Sequence, residues 1–95
     1  MKKIQSDETS LAGQWIEENG SVKADDVCER IDWLTKNCLK KMANSKKNGD
    51  WEIIYLDPED GRYWEKTYPQ SEMQGGGPAT LICISEDEAK NKYDF

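Results

Sequence analysis

No histidine occurs among the 95 residues, which excludes Ser-His and Cys-His nucleophiles, His-ligated metals and imidazole proton transfer. Aliphatic side chains are scarce as well. Leu, Ile, Val and Phe together number 15, and beside a net charge of −6 that scarcity borders on the composition of disordered chains. The three cysteines, Cys28, Cys38 and Cys83, form an odd set without a C-x-x-C pair, so neither a zinc site nor a complete disulfide framework is indicated. They are expected as reduced thiols buried in the core. No apolar run approaches the roughly 18 residues of a membrane span, and the basic start Met1 to Asp7 has no apolar stretch behind it. The expectation is a soluble, cytoplasmic protein that uses no cofactor, holds no metal and enters no membrane.

Aromatics make up the deficit. Four Trp and four Tyr each offer roughly 150–250 Å² of buriable surface, enough to fold one small domain over residues 1–95, with 1–9 expected as a flexible N-terminus. Charge is distributed unevenly. Residues 1–35 carry eight acids against four bases, residues 36–47 five lysines and no acid, and residues 48–95 eleven acids against four bases. A surface this acidic repels nucleic acid and speeds encounter with basic proteins. Lys36, Lys40, Lys41, Lys46 and Lys47 are expected to follow a helix, where cations offset the C-terminal dipole.

Ser10 to Glu17 reads as a strand, and Asn19-Gly20 behind it is a strong hairpin signal, with the return strand ending near Ala24. Asp26 and Glu29 match a capping box, and Val27, Ile31, Leu34, Cys38 and Met42 then recur every three or four residues, which predicts a helix over 27–43. Trp51 to Leu56 and Arg62 to Tyr68 read as two strands joined by Asp57-Pro58-Glu59-Asp60-Gly61. Residues 69–78, with Gly75-Gly76-Gly77, read as a long loop. Thr80 to Ile84 is apolar on both faces, as a central strand would be, and Ser85 with Glu88 opens a short helix reaching Tyr93. The predicted class is α+β, a mostly antiparallel sheet of about five strands with one long helix on a face and a short C-terminal helix.

Motifs for catalysis are absent or incomplete. Asp57 to Gly61 fails as a calcium loop, since Arg62 and Tyr68 stand where Gly and Glu are required, and Gly75-Gly76-Gly77 lacks the Gly-Lys-Ser/Thr ending of a phosphate loop. Asp57, Asp60, Glu65 and Glu72 could supply the two carboxylates of a glycosidase, but so many acids produce close pairs by chance, and a core this small leaves no deep cleft. The informative stretch runs from Tyr55 to Met73, where aromatics alternate with charges. Period two sends Arg62, Trp64, Lys66 and Tyr68 to one face and Tyr63, Glu65 and Thr67 to the other, so aromatic surface lies on both. A protein-binding surface is therefore expected on Asp57, Glu59, Asp60, Arg62, Trp64, Glu65, Tyr68 and Glu72, with Trp64 either its exposed anchor or a core residue. The acidic start of the first helix, Asp25, Asp26, Glu29 and Asp32, is the second choice.

The run from Asp57-Pro58-Glu59-Asp60-Gly61 through Arg62-Tyr63-Trp64-Glu65-Lys66 to Gly75-Gly76-Gly77-Pro78 resembles the immunity protein 27 family of bacterial polymorphic-toxin systems, of the contact-dependent or type VI-like kind. Glu8-Thr9-Ser10-Leu11, Trp15, Asn19-Gly20 and Ser85-Glu86-Asp87-Glu88-Ala89 are similar too. The resemblance implies a non-enzymatic antitoxin that protects the producing cell by binding a cognate toxin domain. It leaves the toxin unidentified. Acidity suggests a nuclease with a basic cleft as the partner, in a one-to-one complex without nucleic acid or membrane. Two alternatives stay open on the residues alone: a regulatory protein-binding module with an unrelated partner, and a small nucleotide-binding or enzyme domain using the 69–78 loop.

Overall fold

Alternation of buried and exposed positions decides where each strand goes, and the sheet it builds has a core on each face. The computed structural model describes residues 2–69 and 77–95. Its elements are β1 (Ser10–Ala12), β2 (Trp15–Glu18), β3 (Ser21–Ala24), α1 (Asp26–Asn37), β4 (Lys40–Ser45), β5 (Gly49–Leu56), β6 (Tyr63–Thr67), β7 (Thr80–Ile84) and α2 (Glu86–Lys92). Among the described residues, five strands form an antiparallel sheet in the order β1-β7-β6-β5-β4, and β2 and β3 form a separate two-stranded ribbon. This is the predicted α+β architecture. No helix among the described residues is long and apolar enough to cross a membrane.

The larger core lies under α1. Leu11, Ile31, Leu34, Leu39, Tyr55, Trp64 and Leu81 are buried together there. The smaller lies under α2, where Ile54, Ala89 and Tyr93 are buried and Met42, Tyr63, Ile84 and Phe95 pack around them. Aromatic surface on both faces of β6 is thus accounted for, since Trp64 points to the first core and Tyr63 to the second. Two thin helical layers bury what one aliphatic-poor core could not.

Local chemistry sets the turns. Asn19 and Gly20 both take positive φ, 53° and 80°, as a two-residue hairpin turn requires. Between β5 and β6, the Asp57 carboxylate accepts the Glu59 N–H at 2.9 Å, the Asp57 carbonyl accepts the Gly61 N–H at 2.8 Å, and Gly61 adopts φ 77°. Ser85 caps α2, accepting the Glu88 N–H at 3.1 Å and donating to the Glu88 carboxylate at 3.1 Å.

Five expectations are corrected. The strand over 10–17 is broken at Gly13, whose N–H donates to the Ala79 carbonyl at 2.9 Å and where a Cβ would collide with Cys28 Sγ; this close approach lets β1 join the main sheet while β2 leaves it. The first helix ends at Asn37 rather than 43, because the Leu34 carbonyl accepts both the Cys38 and Leu39 N–H groups and the chain reverses into β4. Met42 continued the apolar spacing by coincidence, since it packs in the core on the opposite face. The N-cap of α1 is Asp25 rather than Asp26, accepting the Cys28 N–H at 2.9 Å. Of the lysines, Lys36 lies in the last turn of α1 as expected, but Lys40 and Lys41 sit on the edge strand β4 and Lys46 and Lys47 in its turn, where cations discourage edge-to-edge pairing, and Lys46 pairs with Asp94 at 3.0 Å. The three cysteines are free and half-buried rather than fully buried.

Two arginines hydrogen-bond to residues 2–9, the segment expected as a flexible terminus. Arg30 donates to the Lys2 and Lys3 carbonyls and to both oxygens of Glu8 at 2.7–2.9 Å, and Arg62 donates to the Gln5 and Glu8 carbonyls. The Arg30 guanidinium holds the Glu8 carboxyl down at about 2. Burial pushes Asp60 and Glu52 the other way, but their bonds from Arg62 and from Lys92 and Asn48 leave both below the ordinary range. A carboxylate whose folded pKa is depressed stabilises the fold above its unfolded pKa and loses that contribution as pH falls through its folded value. Urea midpoints are therefore expected to hold from pH 7 to 5 and to fall between about pH 4.5 and 2, with Glu8 alone contributing on the order of 2 kcal/mol at its quarter-exposed site. Glu8→Gln should flatten part of that slope; a midpoint constant from pH 6 to 2.5 contradicts the assignment.

Candidate protein-binding surface

The eight residues expected to form one surface are dispersed. Trp64 is fully buried in the larger core, with the Arg62 guanidinium 5.0 Å above its ring, so it is a core residue and no exposed anchor. Asp57 is buried too and serves the turn. Arg62 is taken up by Asp60, at 2.6 Å, and by the N-terminal carbonyls. Glu65 lies under α2, accepting the Tyr93 hydroxyl at 2.7 Å and pairing with Lys92 at 2.7 Å; burial and this acceptor push the Tyr93 phenol well above its ordinary pKa. Glu59 is exposed in a solvated pair with Lys3. Glu72 lies outside the described residues.

Tyr68 remains, and it has company that period-two reading of β6 did not identify. Trp51, at the start of β5, is 50% exposed and meets Tyr68 edge to face, with centroids 5.3 Å apart and planes at 83°. Lys66 stands 5.6 Å over the Tyr68 ring. Antiparallel pairing explains the meeting, because Glu52 faces Thr67 and the next residue outward on each strand is Trp51 and Tyr68. Their exposure follows from lengths. A 12-residue helix spans about 18 Å and an 8-residue strand about 26 Å, and α1 packs chiefly on β1, β3 and β7, leaving this end of β5 and β6 uncovered. Elements of that length were legible only once α1 was known to stop at Asn37.

Two concavities meet at Tyr68. One, of about 610 Å³, is lined by Asn48, Trp51, Glu52, Thr67, Tyr68 and Pro69. The other, of about 350 Å³, runs along α1 past Trp15, Glu29, Asp32, Lys66 and Tyr68 to Pro78. Both are shallow and open. Of the acids at the start of α1, Asp25 is spent on the cap, while Asp26, Glu29 and Asp32 are exposed. Among the described residues no group of three or more Cys, Asp and Glu side chains is placed to hold a metal ion.

A family profile described as Immunity protein 27 matches residues 17–85, from β2 to the cap of α2 and nearly three quarters of the chain. The chain belongs to the immunity protein 27 family. It is an immunity protein, and membership implies that it binds a cognate toxin protein. No curated protein and no solved structure matches it. In this immunity protein the matched segment supplies the whole β4 to β7 sheet, α1, and the meeting point of Trp51 and Tyr68. Within the 57–78 run that carried the resemblance, residues 57–68 are chiefly structural: their turn, their clamp on the N-terminus and their buried Trp64 hold the sheet together. The Gly-rich loop behind the enzyme alternative falls largely on 70–76, outside the described residues; Gly77 and Pro78 are buried.

Proposed function

We propose that this immunity protein is a non-enzymatic antitoxin that binds one molecule of its cognate toxin domain, a nuclease acting in the cytoplasm, and occludes the nuclease's basic cleft with an acidic surface. The family match over 17–85 carries this reading. The net charge of −6 supports the finer part, because a nuclease must attract polyanions and an anionic inhibitor is drawn in by the same field. Of the residues expected from sequence, Tyr68 belongs to the contact surface and Glu59 and Asp60 add steering charge at the far end of the β5–β6 hairpin. Trp64, Asp57, Arg62 and Glu65 support the scaffold. Co-expression with the toxin domain encoded beside the gene tests the reading: growth is expected to be restored by the intact chain, and continued growth arrest despite abundant folded protein counts against it.

A further inference from the structure

Resting on that immunity reading, we propose that the toxin is held in the groove along α1, with Trp51 and Tyr68 as aromatic anchors and Glu29 and Asp32 as an acidic rim, and that the occupant is a basic segment of the toxin. The α1 groove and the Trp51 cleft are both lined by Tyr68, so the two concavities adjoin there. Trp51 leaves half its surface in water, in a chain so short of apolar side chains that every other tryptophan is buried or half-buried. Large amphipathic rings left at the mouth of a concavity are what interfaces use as anchors, since they bury much area at little entropic cost.

Charge selects the occupant. The Glu29 carboxylate makes no ion pair among the described residues, and Asp32 has only an exposed pair with Lys36 at 3.0 Å, four residues away on the same helix. Such an exposed pair on one helix is weak, and a partner cation displaces it easily. Asp26 extends the rim by one turn. The stacking of Lys66 over Tyr68 shows that the site accepts a cation on an aromatic face, and the free face of Trp51 can take an Arg or Lys of the toxin in the same way. Carboxylates along one side with aromatic faces at the end complement a protruding segment that carries basic side chains.

The purified toxin domain encoded beside the gene is the probe, with affinity and association rate measured at two salt concentrations and melting temperature in parallel. Trp51→Ala is expected to keep the fold and weaken binding at least about 30-fold, mainly through faster dissociation. The pair Glu29→Lys and Asp32→Lys should slow association about tenfold or more at low salt, with a smaller effect at high salt. Glu86→Lys with Asp87→Lys, on the opposite side of the sheet, should change neither. If the intact chain binds and the Trp51 and acid-reversal variants bind equally well, the groove is overturned while the immunity reading stands. Failure of the intact chain to bind overturns both. Self-association of the chain that is lost in Trp51→Ala assigns the groove to a second copy and also overturns the proposal.

Discussion

Trp64→Ala is expected to destabilise the protein by about 3–5 kcal/mol, much of the roughly 5–14 kcal/mol that a chain of this size has in total. The ring is completely buried at the centre of the larger core, between Tyr55 and Cys83 on the neighbouring strands. Truncation would open a cavity that neither a five-residue strand nor a short helix can close by shifting, and would remove the surface on which the Arg62 guanidinium rests. In thermal melts the loss corresponds to about 15–30 °C for a domain of this size. Trp64→Phe should cost less. It keeps most of the volume and removes an indole N–H that has no hydrogen-bond partner among the described residues. Toxin affinity per folded molecule should be unchanged in both; a Trp64→Ala melting temperature within a few degrees of the parent would put the ring outside the core.

Arg62→Ala should cost about 2–3 kcal/mol and release the N-terminal segment. One guanidinium bridges Asp60, at 2.6 Å, the Glu8 carbonyl, at 2.6 Å, and the Gln5 carbonyl, at 3.0 Å, and a charged donor lost from part-buried acceptors costs more than a neutral one. Arg62→Lys should recover less than half. A single ammonium cannot span three acceptors in a plane or lie flat on Trp64. Hydrogen exchange should show residues 4–9 losing protection in Arg62→Ala while β5 and β6 keep theirs, with toxin affinity per folded molecule retained. Lost affinity with an unchanged urea midpoint would instead place Arg62 at the toxin interface.

These two side chains mark the boundary of what the sequence made legible. Alternation along 62–68 correctly separated Trp64 from Tyr63, and Asn19-Gly20, Asp57 to Gly61 and Ser85 with Glu88 announced turns and a cap through chemistry confined to a few neighbouring residues. Non-local facts stayed hidden. Whether Trp64 was covered depended on Ile31 and Leu34 of α1 joining the same core, and whether Trp51 was covered depended on α1 ending at Asn37, where Leu34 accepts two N–H groups. Lys40 to Ser45 has good intrinsic helix formers, and pairing with β5 overrode that preference. The break at Gly13 needed the position of Cys28, fifteen residues on. At the proposed binding surface, local composition identified an acidic, aromatic protein and included Tyr68, which the fold places beside the exposed Trp51. It could not show that Asp57, Arg62, Trp64 and Glu65 are buried or bonded within the fold, because charge and aromatic density mark internal clamps as readily as exposed surfaces.

Titration of the purified toxin domain with this protein, read out as cleavage of nucleic acid, tests the central claim most directly. Cleavage should fall linearly with added immunity protein and vanish at one equivalent, with the Trp51→Ala variant requiring a large excess; undiminished cleavage at several equivalents of the folded, intact chain would contradict it.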